Sequence, residues 1–341
     1  MLRSRPTFAN ACHAMAACFA VMLLSAGVSA ASAQAQARKV TVFIGPLAGL
    51  DSIWMADAQG FFRDEGLEVD LKLFPSGTTA LQTFKTGAGD LVHTGELPAV
   101  NYWLSSNKQY RAVVVEERNS LSYSATALNE IKTAADLKGK AVATRVGSTG
   151  SWFISEYLAK NGVNPADVAV KDLETSVQPT ALCRGDVAAM FMWHPFGLRA
   201  REICPTKVHE LATAEGYIHG YSILGARPVW LQDPTNQDTL NRFVRAMAKG
   251  RTYALAHPDD VVAYMKSKFG SDEESTRFMI KVIDRSFGFD KVFYDDFCHL
   301  TTWMKQGGLI NEEFDFSMFI DARAVVALDP KLDALPATKC Q

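Results

Sequence analysis

At 341 residues the chain is long enough for two domains of ordinary size. With 48 % hydrophobic and 21 % charged residues it can bury a sizeable core, which excludes a disordered or low-complexity protein. A formal net charge of −2 without any Lys/Arg-rich stretch argues against nucleic acid as a partner.

Arg3 and Arg5 open the chain, an apolar stretch follows over residues 14–28, and small residues end at Ala31-Ser32-Ala33. Charge, length and cleavage site together predict a secretory signal peptide over residues 1–33. The apolar stretch is shorter than the ~20 residues that a membrane span needs, and no second span follows, so the mature chain is expected to be soluble and not membrane-spanning. Losing two arginines and no acids takes the net charge from −2 to −4. Cys12 and Cys18 leave with the signal. Cys183, Cys204, Cys298 and Cys340 remain in an oxidising setting and allow three pairings. None has C-x-x-C spacing, which leaves zinc and redox motifs unsupported.

From Val40 strand and helix patterns alternate. KVTVFIG reads as a buried strand, DSIWMADAQGFFRDEG as a helix over residues 51–66, and LEVDLKLFP as an alternating strand. SGTTALQTFKTG has a polar helix start and a glycine stop. The short strand Leu91-Val92-His93-Thr94 halts at Gly95, a helix is expected from Pro98, and YRAVVVE follows as a strand. A second set repeats the alternation: strand KAVATRVG, helix STGSWFISEYLAKNG, strand DVAVKDLE, helix QPTALCRG, strand DVAAMFMW, a helix from Pro195, and strand KVHELA. GYSILGARPVWL reads as extended, and from Asn236 the pattern is mainly helical.

Alternating β and α segments predict an α/β protein with mostly parallel sheets. Two such sets and a helical tail predict two lobes with a cleft between them. Lobe one is expected over residues 34–125 and 225–341, and lobe two over 126–224. Cys183 closes the helix before strand 186–193 and Cys204 the helix after it. A parallel βα unit returns its helix to the edge where its strand began, so a Cys183–Cys204 disulfide is expected, adding roughly 3 kcal/mol in the chain-entropy model. Cys298 and Cys340 pair only by arithmetic.

Enzyme motifs are absent from the sequence: no H-E-x-x-H, no G-x-S-x-G, no phosphate-binding loop, and no G-x-G-x-x-G after the first strand. No cofactor is therefore expected. His93 and His194 border strand ends, and a structural role is favoured over a base for each. Small polar residues recur instead at helix starts: Ser76-Gly77-Thr78-Thr79 and Gly147-Ser148-Thr149. Unpaired N–H groups and the helix dipole suit such ends to anions, although ordinary N-capping uses the same residues. Trp54, Trp152, Phe153 and Trp193 lie beside these turns. Core packing is the better reading for Trp54, whereas Trp152 and Trp193 could equally wall a cleft. Glu96 sits where a strand's carboxyl end meets a helix start, the place ligands occupy in open α/β sheets. It is expected either to tune the helix end or to face the cleft and pair with a cationic group.

The ordered series Gly60-Phe61-Phe62, Glu65-Gly66-Leu67-Glu68-Val69, Gly77-Thr78-Thr79, Gly89-Asp90 to Gly95-x-x-Pro98, Leu137-Lys138-Gly139-Lys140, Gly147-Ser148-Thr149 and Gly185-Asp186-Val187-x-Ala189 to Trp193-x-Pro195 resembles the nitrate/sulfonate/taurine-type solute-binding proteins of ABC importers, a group that includes thiamine-precursor binders. The resemblance implies a type II periplasmic-binding-protein fold, two lobes with mostly parallel sheets joined by two crossover strands. It implies a monomer in the periplasm that holds a small molecule between its lobes, delivers it to a permease with its ATPase, and performs no chemistry. Cleft contacts carried over by position are Thr78, Thr79, Gly95, Glu96, Ser148, Thr149 and Trp193, with Trp152 added from its place beside the turn. Pro46, Leu47 and residues 220–227 are weaker candidates. Many relatives carry a small residue at the position of Glu96, and an acid there points to an amine, a cationic ring or a zwitterion. The rivals are a pyrimidine-type binder, a sensor for a membrane kinase, and an enzyme on the same fold; the enzyme relies on a cysteine-rich run that this chain lacks.

Overall fold

The computed structural model describes residues 37–333 together with Lys339 and Cys340. The signal-peptide reading of residues 1–33 lies outside the described residues.

The alternating segments form two five-stranded sheets. The first holds β1 (Arg38–Ile44), β2 (Leu67–Leu73), β3 (Leu91–Thr94), β4 (Arg111–Asn119) and β10 (Gly220–Ala226), in the order β2-β1-β3-β10-β4. The second holds β5 (Tyr123–Leu128), β6 (Ala141–Thr144), β7 (Ala169–Asp172), β8 (Ala189–Trp193) and β9 (Val208–Thr213), in the order β7-β6-β8-β5-β9. In each sheet one strand runs against the rest: β10 is antiparallel to β3 and β4, and β5 to β8 and β9. These are the strands by which the chain passes between sheets. It crosses between Asn119 and Tyr123 and returns between Thr213 and Gly220. The expected boundaries at 125/126 and 224/225 fall inside β5 and β10 instead. Each crossover strand is itself an inner strand of the sheet it enters, so the change comes before it.

Helices cover both sheets. The run expected as one helix over residues 51–66 is two, α1 (Asp51–Ala58) and α2 (Phe61–Asp64), because Gly60 adopts φ +77° between them. α3 (Gly77–Phe84) and α4 (Glu96–Ser105) follow β2 and β3. α4 starts two residues before Pro98, with Gly95 as its cap. A proline fits the first turn because the N–H groups there have no intrahelical partner. On the second sheet lie α5 (Thr149–Lys160), α6 (Gln178–Arg184) and α7 (Phe196–Ile203). Residues 228–231 close the expected extended segment as one helical turn, α8 (Pro228–Leu231).

The helical tail comprises α9 (Pro234–Ala256), α10 (Pro258–Phe269), α11 (Glu273–Val282) and α12 (Lys291–Gln306), then α13 (Phe316–Phe319) and α14 (Arg323–Leu328). It packs on the first sheet's layer: Phe243 of α9 stacks on Phe62 of α2 at 4.7 Å, and Phe293 and Phe297 of α12 pack against Tyr221 of β10. Cys183 and Cys204 are disulfide-bonded with Cα atoms 5.8 Å apart, as are Cys298 and Cys340 at 5.3 Å. The second bond ties α12 to the chain's carboxyl end.

Candidate functional site

Three strand-to-helix junctions and both crossovers meet at one cavity. Ser76, Gly77 and Thr78 line it from the start of α3, Gly95 and Pro98 from α4, and Ser148 and Thr149 from α5. α3 and α4 belong to the first sheet and α5 to the second, so both sheets contribute helix amino ends. Gly77 permits part of this convergence, because a Cβ there would lie 2.8 Å from Thr94 Cα at the end of β3. Trp193 and His194 enter from the end of β8, and Glu117, Asn119, Ser122, Tyr123, Tyr221 and Ser222 from the crossovers.

The helix starts are partly occupied by their own caps. Ser76 Oγ accepts from Thr79 N–H at 3.2 Å and lies 2.9 Å from Thr79 Oγ1. Ser148 Oγ accepts from Gly150 N–H at 3.2 Å. The capping expectation thus applies to both serines, while Thr78 and Thr149 line the cavity. The start of α4 has no side-chain cap. Unpaired N–H groups at such ends favour negative charge.

Of the residues expected at the cleft, Thr78, Gly95, Ser148, Thr149 and Trp193 line it; Thr79, Glu96 and Trp152 do not. Thr79 faces its own cap. Trp152 is buried against Trp303 and His299 of α12, and its Nε1 donates to Glu156 at 3.3 Å. Trp54, as expected, is core: it packs on Phe269, and its Nε1 donates to the Leu47 carbonyl. Phe153 packs on Phe191. Among the weaker candidates, Leu47, Tyr221 and Ser222 line the cavity and Pro46 does not.

Glu96 is 1 % exposed, and its Oε2 accepts the Tyr221 N–H at 2.9 Å. The sheet register explains this. β3 ends at Thr94, opposite Ile223 of the antiparallel β10, so two residues further on the Tyr221 N–H has no strand partner on that side. The Glu96 carboxylate takes the strand's place. Burial pushes its carboxyl up to about 7, against the hydrogen bonds that Thr149 and Tyr221 provide.

The acid that lines the cavity is Glu117. β4 and β10 pair Ser222 with Glu117 and Ile223 with Val115, so Glu116 is an extra residue bulged from the ladder. The bulge buries two successive carboxylates. Glu116 accepts from Ser52 Oγ at 2.6 Å, and Glu117 accepts from Asn119 Nδ2, whose Oδ1 accepts from Ser122. Burial pushes Glu116 up to about 8 and Glu117 up to about 7. His93, 4.0 Å from Glu116, is pushed down to about 3 by its own burial, so burial favours the uncharged form of both partners. Burial likewise holds His194 at about 4. Both histidines line the cavity as neutral rings. The crossover acid, Asn119 and Ser122 were missed by strand-end reasoning. A signal was present in Glu116-Glu117-Arg118-Asn119-Ser120, dense polarity directly after an apolar strand.

Among the described residues no group of three or more His, Cys, Asp or Glu side chains could hold a metal ion. None of the helices there is long and apolar enough to cross a membrane.

Residues 51–261, more than half the chain, match the sequence family described as NMT1/THI5 like. The taurine-binding periplasmic protein of Escherichia coli (strain K12) is 26 % identical over 164 residues, 48 % of this chain and 50 % of that protein. Two solved structures share the fold. The periplasmic aliphatic sulphonate binding protein SsuA from Escherichia coli has a TM-score of 0.69 at 17 % identity, over 83 % of this chain and 97 % of that one. The alkanesulfonate-binding protein SsuA from Xanthomonas axonopodis pv. citri, bound to MOPS, has a TM-score of 0.70 at 15 % identity, over 85 % and 98 %. The type II periplasmic-binding-protein fold expected from the sequence is the fold observed.

Proposed function

Because the chain belongs to the NMT1/THI5-like family, we propose that it is the periplasmic solute-binding component of an ABC-type importer. It captures one small organic solute, of the sulfonate, taurine or other amine-bearing kind, between its lobes and hands it to a membrane permease without chemical change. The observation that carries this reading is the cavity itself, in which helix amino ends from both sheets converge with the two crossovers. A ligand touching both lobes stabilises the closed arrangement over the open one, so capture is a population shift. Each helix amino end contributes about 0.3–1 kcal/mol to holding an anionic group, and up to ~2 kcal/mol when partly buried. Trp193 offers a flat face in the same cavity. With Glu117, it favours a second reading, a pyrimidine of thiamine-precursor kind.

A thermal-shift screen of the purified protein against sulfonates, amines, pyrimidines and carboxylates tests the proposal. A bound solute at a hundred times its dissociation constant stabilises the native state by about 2.7 kcal/mol, a midpoint rise of several degrees. If no compound in these classes moves the midpoint, solute capture at this cavity is wrong.

A further inference from the structure

Granting the solute-binding reading, we propose that Glu117 is the specificity-determining group of the cavity and that the solute carries an organic cation, a protonated amine or ring nitrogen, held by its carboxylate. Glu117 lines the cavity at only 6 % exposure. One oxygen accepts from Asn119, which is fixed in turn by Ser122; the other has no hydrogen-bond partner among the described residues. Gly49 lies against that second oxygen and a Cβ there would collide with it, so the backbone shapes a bed for the carboxylate without satisfying it.

Arg285 favours the charged form of Glu117 but does not line the cavity. Neither Lys nor Arg is among the lining residues. Arg285 reaches into this region but is committed to Asp51, with Nε at 2.8 Å and Nη2 at 2.6 Å from one oxygen. Of the other groups acting on Glu117, Asp51 at the start of α1 and Glu116 on its own strand disfavour its charge, while Asn119 and Ser222, opposite it on β10, favour it; His93 of β3 shares the cavity. A buried carboxylate in such company is costly without a positive partner. A simple anion lodged beside it would be repelled, although the helix starts elsewhere in the cavity favour one. Helix amino ends for an anionic or polar end and a carboxylate for a cationic end fit a zwitterion or an amine with a polar tail.

Cation binding must also move a proton. Burial holds Glu117 near about 7 without ligand, and an ammonium beside it draws the carboxyl into its charged form, releasing a proton at neutral pH. A carboxyl that instead stayed protonated, donating to an acceptor on the solute, would release none.

Titration calorimetry on matched pairs separates these cases. Taurine is compared with ethanesulfonate, and an aminomethylpyrimidine with the corresponding methylpyrimidine, on the wild type and on Glu117→Gln. The expected result is that the amine-bearing member of at least one pair binds at least about tenfold tighter than its partner, that the substitution weakens it by about ten- to a hundredfold, and that wild-type binding heats at pH 7 depend on the buffer's ionisation enthalpy with the sign of proton release. If Glu117→Gln does not fold, the wild-type pair preference still decides. Amine-free partners binding as tightly as the amines, or a Glu117→Gln protein that binds the amines undiminished, overturn the inference and leave solute capture standing. Binding by neither set contradicts the capture reading itself.

Discussion

Glu96 and Glu117 are both acids near a strand's end, both buried, and both pushed by burial to about 7. They nevertheless have different tasks. Glu96 stands at the β3–α4 junction and completes a ladder that β3 is too short to complete, so its oxygen faces a backbone N–H. Glu117 stands at a bulge in β4 and faces the cavity. Burial and raised proton affinity therefore do not separate an acid that lines the cavity from one that does not. Each has one oxygen held by a protein donor and one without a hydrogen-bond partner among the described residues; what separates them is that only Glu117 lines the cavity, a placement decided by sheet register.

The largest expected effect follows from the structural member of the pair. Glu96→Ala leaves the Tyr221 N–H without its acceptor and opens a void, and should lower the free energy of unfolding by ~2–4 kcal/mol in urea titrations. Glu96→Gln keeps an acceptor and should cost ~1 kcal/mol. Neither should change solute affinity more than about threefold in the folded protein. The reverse outcome, unchanged stability with lost affinity, would exchange the two roles.

Next is Glu117→Gln, for which an affinity loss of ~1.4–2.7 kcal/mol for an amine-bearing solute is expected with ligand-free stability unchanged or raised. Thr149→Val removes one donor at the start of α5, beside Glu96 and Tyr123. Its expected cost in affinity is about 1 kcal/mol, a fivefold loss by calorimetry. A collapse of ligand-free stability instead would make Thr149 a helix-end residue only.

The pH dependence of stability has a determined sign. Glu96, Glu116 and Glu117 bind protons more tightly folded than unfolded, at about 7, 8 and 7 against an ordinary value of ~4.3. Their stabilisation is complete below that ordinary value and is lost as pH rises to about 8. His93 and His194, held near 3 and 4, act oppositely, adding stability as pH rises to the ordinary ~6.5 and nothing beyond. His219 and His299, raised by Asp296 and Glu156, lose stability in the same direction as the acids. The ligand-free melting midpoint should therefore fall between pH 6.5 and 8.5, and Glu117→Gln should flatten the fall. A midpoint that rises over this range would show these acids ionised in the free protein.

Much of the molecule was legible from local pattern. Period-two runs such as LEVDLKL marked strands, and Ser or Gly at their ends marked the helix starts that carry Thr78, Gly95, Ser148 and Thr149. Trp193 was legible because it ends a strand immediately before a helix. Three candidates lie off the cavity for reasons no local pattern contains. The Thr79 hydroxyl is taken by its own cap, Trp152 turns toward α12, and the Glu96 carboxylate answers to β10, 125 residues away. Glu117, Asn119 and Ser122 were missed for the converse reason. Their strand reads as ordinary core, and only the bulge and the crossover bring them to the cavity.

The most direct test of the account is a crystal structure of the protein with the tightest-binding solute from the screen. The solute is expected between the two sheets, with a cationic nitrogen about 2.7–2.9 Å from a Glu117 oxygen and its other polar end at the starts of α3, α4 or α5. A solute bound outside this cavity, or one whose cationic nitrogen sits on Glu96 while Glu117 touches nothing, would contradict it.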